Sequence, residues 1–276
     1  MPKLVLLWTD AAIWLLTLAL LAYGWHVRRS PALATTWRKV FRDPAALASS
    51  VVLLLCLGVT LLDSVHYRPL LRPLLPAAAG GGSGAAAGAA DVAVAYDART
   101  RSLLDAWLGD LIASREATYS RPLAYLGFTK ESVAVAGQIQ RLAPRLKFGG
   151  AHLKTPEAEW VGDVATLAFA GLAAGAVAAL MWAALFVAVI ARARRQAWRD
   201  TVGRLWRGEG DIPWRVAVAT TGVVCLLAGP AAMLSGPYHL LGTDLTGNDV
   251  LYQALKSIRT AFVIGTLATV ATLPLA

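Results

Sequence analysis

The residues best equipped for chemistry lie between His239 and Arg259. They include the imidazole of His239, the carboxylates of Asp244 and Asp249, the hydroxyls of Thr243 and Thr246, and the cations of Lys256 and Arg259, with Gly242 and Gly247 among them. Their spacing suits backbone chemistry. Thr246-x-x-Asp249 fits a capping box, in which a hydroxyl and a carboxylate satisfy the free amides of a helix start. Asp244 and Asp249 can accept amide hydrogen bonds there, and glycines at 242 and 247 permit backbone geometry that a side chain would obstruct. Other chemistries lack their signatures. The glycines of 80–84 are not followed by Gly-Lys-Ser/Thr and cradle no phosphate, and Ser83 lacks the second glycine of a nucleophile elbow. There is no Walker motif, triad signature or zinc-ligand helix, and His66 and His152, far apart in sequence, are expected to face solvent. Cys56 and Cys225 sit in apolar runs without ligand or redox spacing. No catalytic, cofactor-binding or metal-binding residue is expected in this chain.

The elements around this stretch are set by hydropathy. Val250, Leu251, Ala254, Leu255, Ile258 and Phe262 recur at helical spacing, which predicts a short amphipathic helix at a membrane surface turning directly into a crossing helix. The chain is 57% hydrophobic with mean hydropathy +0.55, and only 16% of its residues are charged. Soluble domains carry about a quarter. Long apolar runs at 4–25, 45–62, 164–190, 216–235 and 261–276 therefore predict an all-α integral membrane protein with about five transmembrane helices. A signal peptide would show a basic start and a small-residue cleavage site, whereas most of the basic residues here follow the first run, so it is expected to stay as an anchor.

Charge orients these spans. Arg28, Arg29, Arg38, Lys39 and Arg42 follow the first, and seven arginines from Arg192 to Arg215, with Trp198, Trp206 and Trp214, follow the third. Both basic loops belong in the cytoplasm, which explains the net charge of +9 without nucleic acid, for which no aromatic-basic platform is present. Four regions result. Residues 1–63 hold two transmembrane helices, and 64–163 form an external, periplasmic segment of roughly 100 residues. Residues 164–235 hold two further helices around the basic loop 192–215, and 236–276 begin a last membrane domain. In the external segment, the Ala/Gly tract 77–90 reads as a flexible linker. Beyond it, 96–160 reads as a small domain with the stripe Leu103, Leu104, Trp107, Leu108, Leu111 and Ile112 turned inward. Gly171-x-x-x-Gly175 reads as a helix-packing site, and Gly229-Pro230 as a kink or thin point.

The string His239-x-Leu241-Gly242-Thr243-Asp244-x-x-Gly247-x-Asp249-Val250-Leu251, followed by Arg259 and an apolar run with Gly265, resembles the start of the permease domain of bacterial ABC importers. It is most similar to the second permease subunit of the dipeptide, oligopeptide and nickel type. The likeness covers about the last 40 residues and departs at two places: Asn248 replaces the usual Arg, so an ion pair made by that Arg is not carried over, and Ser257 replaces the usual Gly. The resemblance implies a multi-pass protein of the bacterial inner membrane that transports peptides or a similar small solute. It implies a second permease subunit, cytoplasmic ATP-binding subunits that use the ATP, and a periplasmic solute-binding protein. It places Gly242-Thr243-Asp244 on the outer face, the side the charge rule gives independently.

Glu116-Ala117-Thr118 does not match the ATPase-docking loop of such permeases, since its spacing fails and it falls in the external segment. Residues 261–276 are also short of the roughly 20 needed to cross a bilayer. The expectation is an N-terminal portion whose transport core lies downstream. A second expectation stays open: a membrane-anchored scaffold whose external domain binds a partner without transport.

Overall fold

The computed structural model describes residues 3–70, 96–135 and 138–272. The tract 77–90, and with it the linker expectation, lies outside them. The chain is mostly helical, but not purely so. Strand β1 (Lys3–Val5) precedes three helices: α1 (Trp8–Arg29), α2 (Pro31–Arg42) and α3 (Pro44–Ser64). Strands β2 (His66–Arg68) and β3 (Arg101–Ser102) lead to the short helices α4 (Leu103–Trp107) and α5 (Gly109–Ala113), and β4 (Glu131–Val135) pairs with β5 (Gln138–Leu142). The long helix α6 (Pro156–Arg194), then α7 (Trp198–Arg207), α8 (Trp214–Ser235) and α9 (Val250–Thr272) complete the order.

Among the described residues, four helices are long and apolar enough to cross a membrane: α1, α3, α6 and α8. Their side chains face outward along most of their length, as apolar residues in lipid do, since lipid tails are as apolar as Leu. The fifth expected span, 261–276, overlaps the second half of α9 as far as Thr272; α9, whose first half carries Lys256 and Arg259, is one unbroken helix but is not among these four. The first span starts at Trp8 rather than residue 4, because Lys3, Leu4 and Val5 pair antiparallel with Arg68, Tyr67 and His66. β3 extends this ribbon on the other edge of β2.

α6 and α8 pack most closely. A Cβ on Gly171 would stand 2.5 Å from the Pro230 Cα. One on Gly175 would strike the Cys225 carbonyl, and one on Gly229 the Gly171 carbonyl. The small residues thus let two backbones touch, the close approach that drives helix association in lipid. Gly229-Pro230 is the thin point on α8, which runs through Pro230 without interruption.

The molecule has two ends. At one, the basic stretches are amphipathic helices rather than open loops: Pro31 starts α2 and Asp43 caps α3, while Gly208 at φ +70° ends α7. Arg42 bonds Asp211 across 2.7 Å and so ties the two stretches together. At the other end, the described residues of 96–163 form a head with the loop between α8 and α9. Its apolar centre is Leu153, Leu234 and Tyr238, with Leu123, Trp160 and Val164 packed on them, so α6 begins inside the head. The expected inward stripe is split. Leu104 and Leu111 are buried, but Leu103, Trp107 and Ile112 are exposed, because α4 ends at Trp107 and α5 starts afresh at Gly109.

Candidate functional site

The stretch from Tyr238 to Asp249 is a loop clamped into the head. Gly242 and Gly247 both take φ +78°, where L side chains are strained. A Cβ on Gly242 would collide with the Ser120 carbonyl, and one on Gly247 with the Glu116 carbonyl. Between them Thr243 Oγ1 lies 3.0 Å from both the Thr118 carbonyl and Ser120 Oγ. Leu241 and Leu245 are left on the surface. Asp244 draws the tip into a turn: its Oδ1 accepts from the Thr246 amide (2.8 Å), the Thr246 hydroxyl (2.7 Å) and the Asn248 amide (2.9 Å), and its Oδ2 accepts from Gln253 Nε2 (2.6 Å). The Thr246 hydroxyl, then the Gln253 amide, hold this carboxyl well below the usual carboxylate range.

The helix cap differs from the sequence expectation. α9 begins at Val250 and its cap is Asp249, whose Oδ1 accepts from the Leu251 (2.8 Å) and Tyr252 (3.3 Å) amides. Thr246 is held by Asp244 instead, and the positive φ of Gly247 breaks any helical run before Asn248. Asn248 Nδ2 donates to Thr246 Oγ1 at 2.7 Å, so the loop closes on itself.

His239 sits at the centre of this clasp, 2% exposed. Its Nδ1 lies 2.8 Å from Asp249 Oδ2 and its Nε2 3.4 Å from Glu116 Oε1. Burial lowers its pKa, but Asp249 and then Glu116 outweigh that and leave it raised. Burial raises the Glu116 pKa, yet the amides of Phe148, Lys147 and Gly149, at 2.7, 2.8 and 3.2 Å from its carboxylate, bring it below the ordinary value. Both imidazole nitrogens are engaged and the ring is closed off from solvent. The arrangement joins three parts of the chain around one charge cluster.

A second cluster fixes α9 to the other helices. Arg259 reaches Asp10 at 2.5 Å, Thr9 at 2.7 Å and Asp63 at 3.5 Å. Asp10 is fully buried, Asp63 is 1% exposed, and His66 Nδ1 lies 2.9 Å from Asp10 Oδ2. His66 is therefore buried and partnered, not solvent-facing, because β2 carries it back over the start of α1. His152 is more exposed and meets Asp163 at 2.9 Å. Lys256 and Tyr252 add a third tie, donating to Asp105 Oδ1 at 2.6 and 2.8 Å. Burial raises the Asp105 carboxyl, but the Lys256 hydrogen bond and the Ser102 amide prevail and lower it.

Of the motif residues singled out in the sequence, His239, Gly242, Thr243, Gly247 and Asp249 meet in one clasp, Asp244 holds its tip, Val250 starts α9, and Arg259 anchors α9 two turns further on. Four residues escaped sequence reading: Glu116, Asp10, Asp63 and His66. For Asp10 and Asp63 a signal was present, since an ionisable residue at the edge of an apolar span must find a partner. For Glu116 there was none, because its partners lie far along the chain. Among the described residues no group of His, Cys, Asp and Glu is placed to hold a metal ion. Compared with family models, curated proteins and solved structures, the chain finds no match.

Proposed function

We propose that the chain belongs to a permease subunit of an ABC importer, in the inner membrane of a bacterium, for peptides or a similar small solute. It carries no cofactor. Cytoplasmic ATP-binding subunits drive it, a second permease subunit completes the path, and a periplasmic binding protein delivers the solute to the head. The observation that supports this reading is the use of the motif. Its glycines, hydroxyls and carboxylates make one rigid turn whose sole outlet is the start of α9, and Arg259 then pins α9 to α1 and α3. A helix held so firmly at its outer end suits the first helix of a transport core. A shallow depression of about 590 Å³ lies beside the turn, with Leu245 largely exposed at its rim, and offers a contact for the binding protein.

The test is uptake, measured in cells that express the chain from its own gene with its co-encoded subunits. Deleting the gene should abolish ATP-dependent uptake of labelled di- and oligopeptides or nickel. Asp244→Ala should lower uptake more than it lowers protein in the membrane, because the carboxylate shapes the tip without filling the core. Gly242→Val should lower both, because its side chain would collide with the Ser120 carbonyl. Uptake unchanged by the deletion sinks the permease reading and leaves a scaffold whose head binds a partner without transport.

A further inference from the structure

Between α3, α6 and α8, on the half of the molecule nearer the basic end, lies an apolar cavity of about 720 Å³. Val51 and Leu55 form one wall, Trp182 and Phe186 another, and Val218 and Cys225 the floor. Two lining residues carry hydroxyls, and both spend them on their own helices: Ser50 donates to the Ala46 carbonyl (2.7 Å) and Thr221 to the Ala217 carbonyl (3.0 Å). The cavity therefore offers an occupant almost nothing to hydrogen-bond, and water has little reason to stay.

Its mouth is different. Ile212 and Trp214 border both this cavity and a second, open one of about 650 Å³ lined by Arg38, Arg194 and Asp211. Asp211 is already paired with Arg42 at 2.7 Å. Arg38 and Arg194 make no ion pair among the described residues. The depth is informative too. Trp214 to Cys225 is eleven residues of helix, about 16 Å at 1.5 Å per residue. That is close to half of the roughly 30 Å hydrocarbon thickness, or one leaflet. An apolar slot one leaflet deep, with tryptophan at its lip and two unpaired guanidiniums above it, matches a molecule with a hydrocarbon tail and an anionic head.

We propose that this groove is a binding site for an anionic phospholipid, with one acyl chain between α3, α6 and α8 and its phosphate at Arg38 and Arg194. The site is independent of transport. It requires only that these helices span a bilayer with the basic end at a headgroup layer. Bound lipid fills the gap between α3 and the α6–α8 pair and so completes their packing.

The experiment uses the full chain reconstituted in phosphatidylcholine vesicles with phosphatidylglycerol bearing a photoreactive diazirine on its acyl chain. Cross-linked peptides are mapped by mass spectrometry. Adducts should concentrate on 47–55, 178–186 and 214–225, and unlabelled phosphatidylglycerol should compete better than phosphatidylcholine. Arg38→Gln with Arg194→Gln should weaken competition about thirtyfold, since each cation near an anionic lipid surface contributes roughly a factor of five. Val51→Trp, which keeps the charges and fills the slot, should abolish groove adducts while leaving the helical content unchanged. Equal competition by the two lipids, adducts spread evenly over all exposed helix faces, or unchanged labelling in either variant would overturn the proposal. So would a groove free of adducts in a chain that runs as a dimer, which would assign the face to a second copy.

Discussion

At the scale of single residues, the clasp around His239 makes a statement about pH. Its raised pKa means that the folded head binds a proton more tightly than the unfolded chain. That contribution is complete below the ordinary histidine value of 6.5 and is lost as pH rises from there through the raised value. Glu116 has the opposite sign. Its lowered pKa contributes fully above 4.5 and is lost as pH falls below that. Both contributions are whole between about 4.5 and 6.5, so the head should be most resistant to unfolding there. Amide exchange in 116–127 and 239–249 should quicken from pH 6 to pH 8.5, after correction for the intrinsic rate. His239→Gln should remove most of that dependence. A corrected rate that stays flat in the native chain would dismiss His239 as the titrating group. Sequence alone marked His239, Gly242, Asp244 and Asp249, because their types and spacing are local. It set Glu116 aside and turned His66 outward, because their partners stand 123 and 56 residues away and no periodicity reports such distances. It also gave the cap to Thr246, since the pattern cannot show that Asp244 captures that hydroxyl first.

At the scale of elements, the spans were legible because lipid demands long apolar runs, and α3, α6 and α8 contain the runs expected of them. Their ends were not. β1 takes the first residues of one run, and the head captures the first two turns of α6 through Trp160, which donates to the Leu123 carbonyl at 2.8 Å. Two predictions belong here. Gly229→Leu should separate α6 from α8 and destabilise the chain by on the order of 1–3 kcal/mol, the range for overpacking. Gly58→Ala, where the Cβ meets nothing within 4 Å, should be neutral or slightly stabilising. Thermal unfolding of both variants in one detergent decides whether the contact or glycine itself matters. The second concerns the tie of α9 to α1 and α3. Arg259→Met leaves Asp10 and Asp63 buried without their cation, which costs about 3–5 kcal/mol. Adding Asp10→Asn and Asp63→Asn should restore most of the melting temperature. No recovery in the triple variant would mean that the guanidinium acts through packing rather than charge.

The whole molecule has one end built from head, β1 and the start of α9, and another built from α2 and α7. The Arg42–Asp211 pair places the two basic stretches together, and on the charge rule that end is expected to face the cytoplasm. With Cys56 and Cys225 changed to serine, a membrane-impermeant thiol reagent on intact cells should label Arg141→Cys on β5 and spare Arg199→Cys on α7. Ready labelling at 199 would invert the orientation. The Arg259 cluster also bears on how such a chain is made. Arg259 is synthesised 196 residues after Asp63 and 249 after Asp10. At roughly 5–20 residues per second, the second carboxylate waits about 10–40 s for its partner. Through that interval Asp10 has only His66 beside it and Asp63 lacks the guanidinium that the finished chain gives it. The ribosome's pace thereby becomes a variable of assembly. A ribosome stalled before Arg259 would leave a chain whose α1 and α3 lack the one side chain that joins both of their carboxylates to α9.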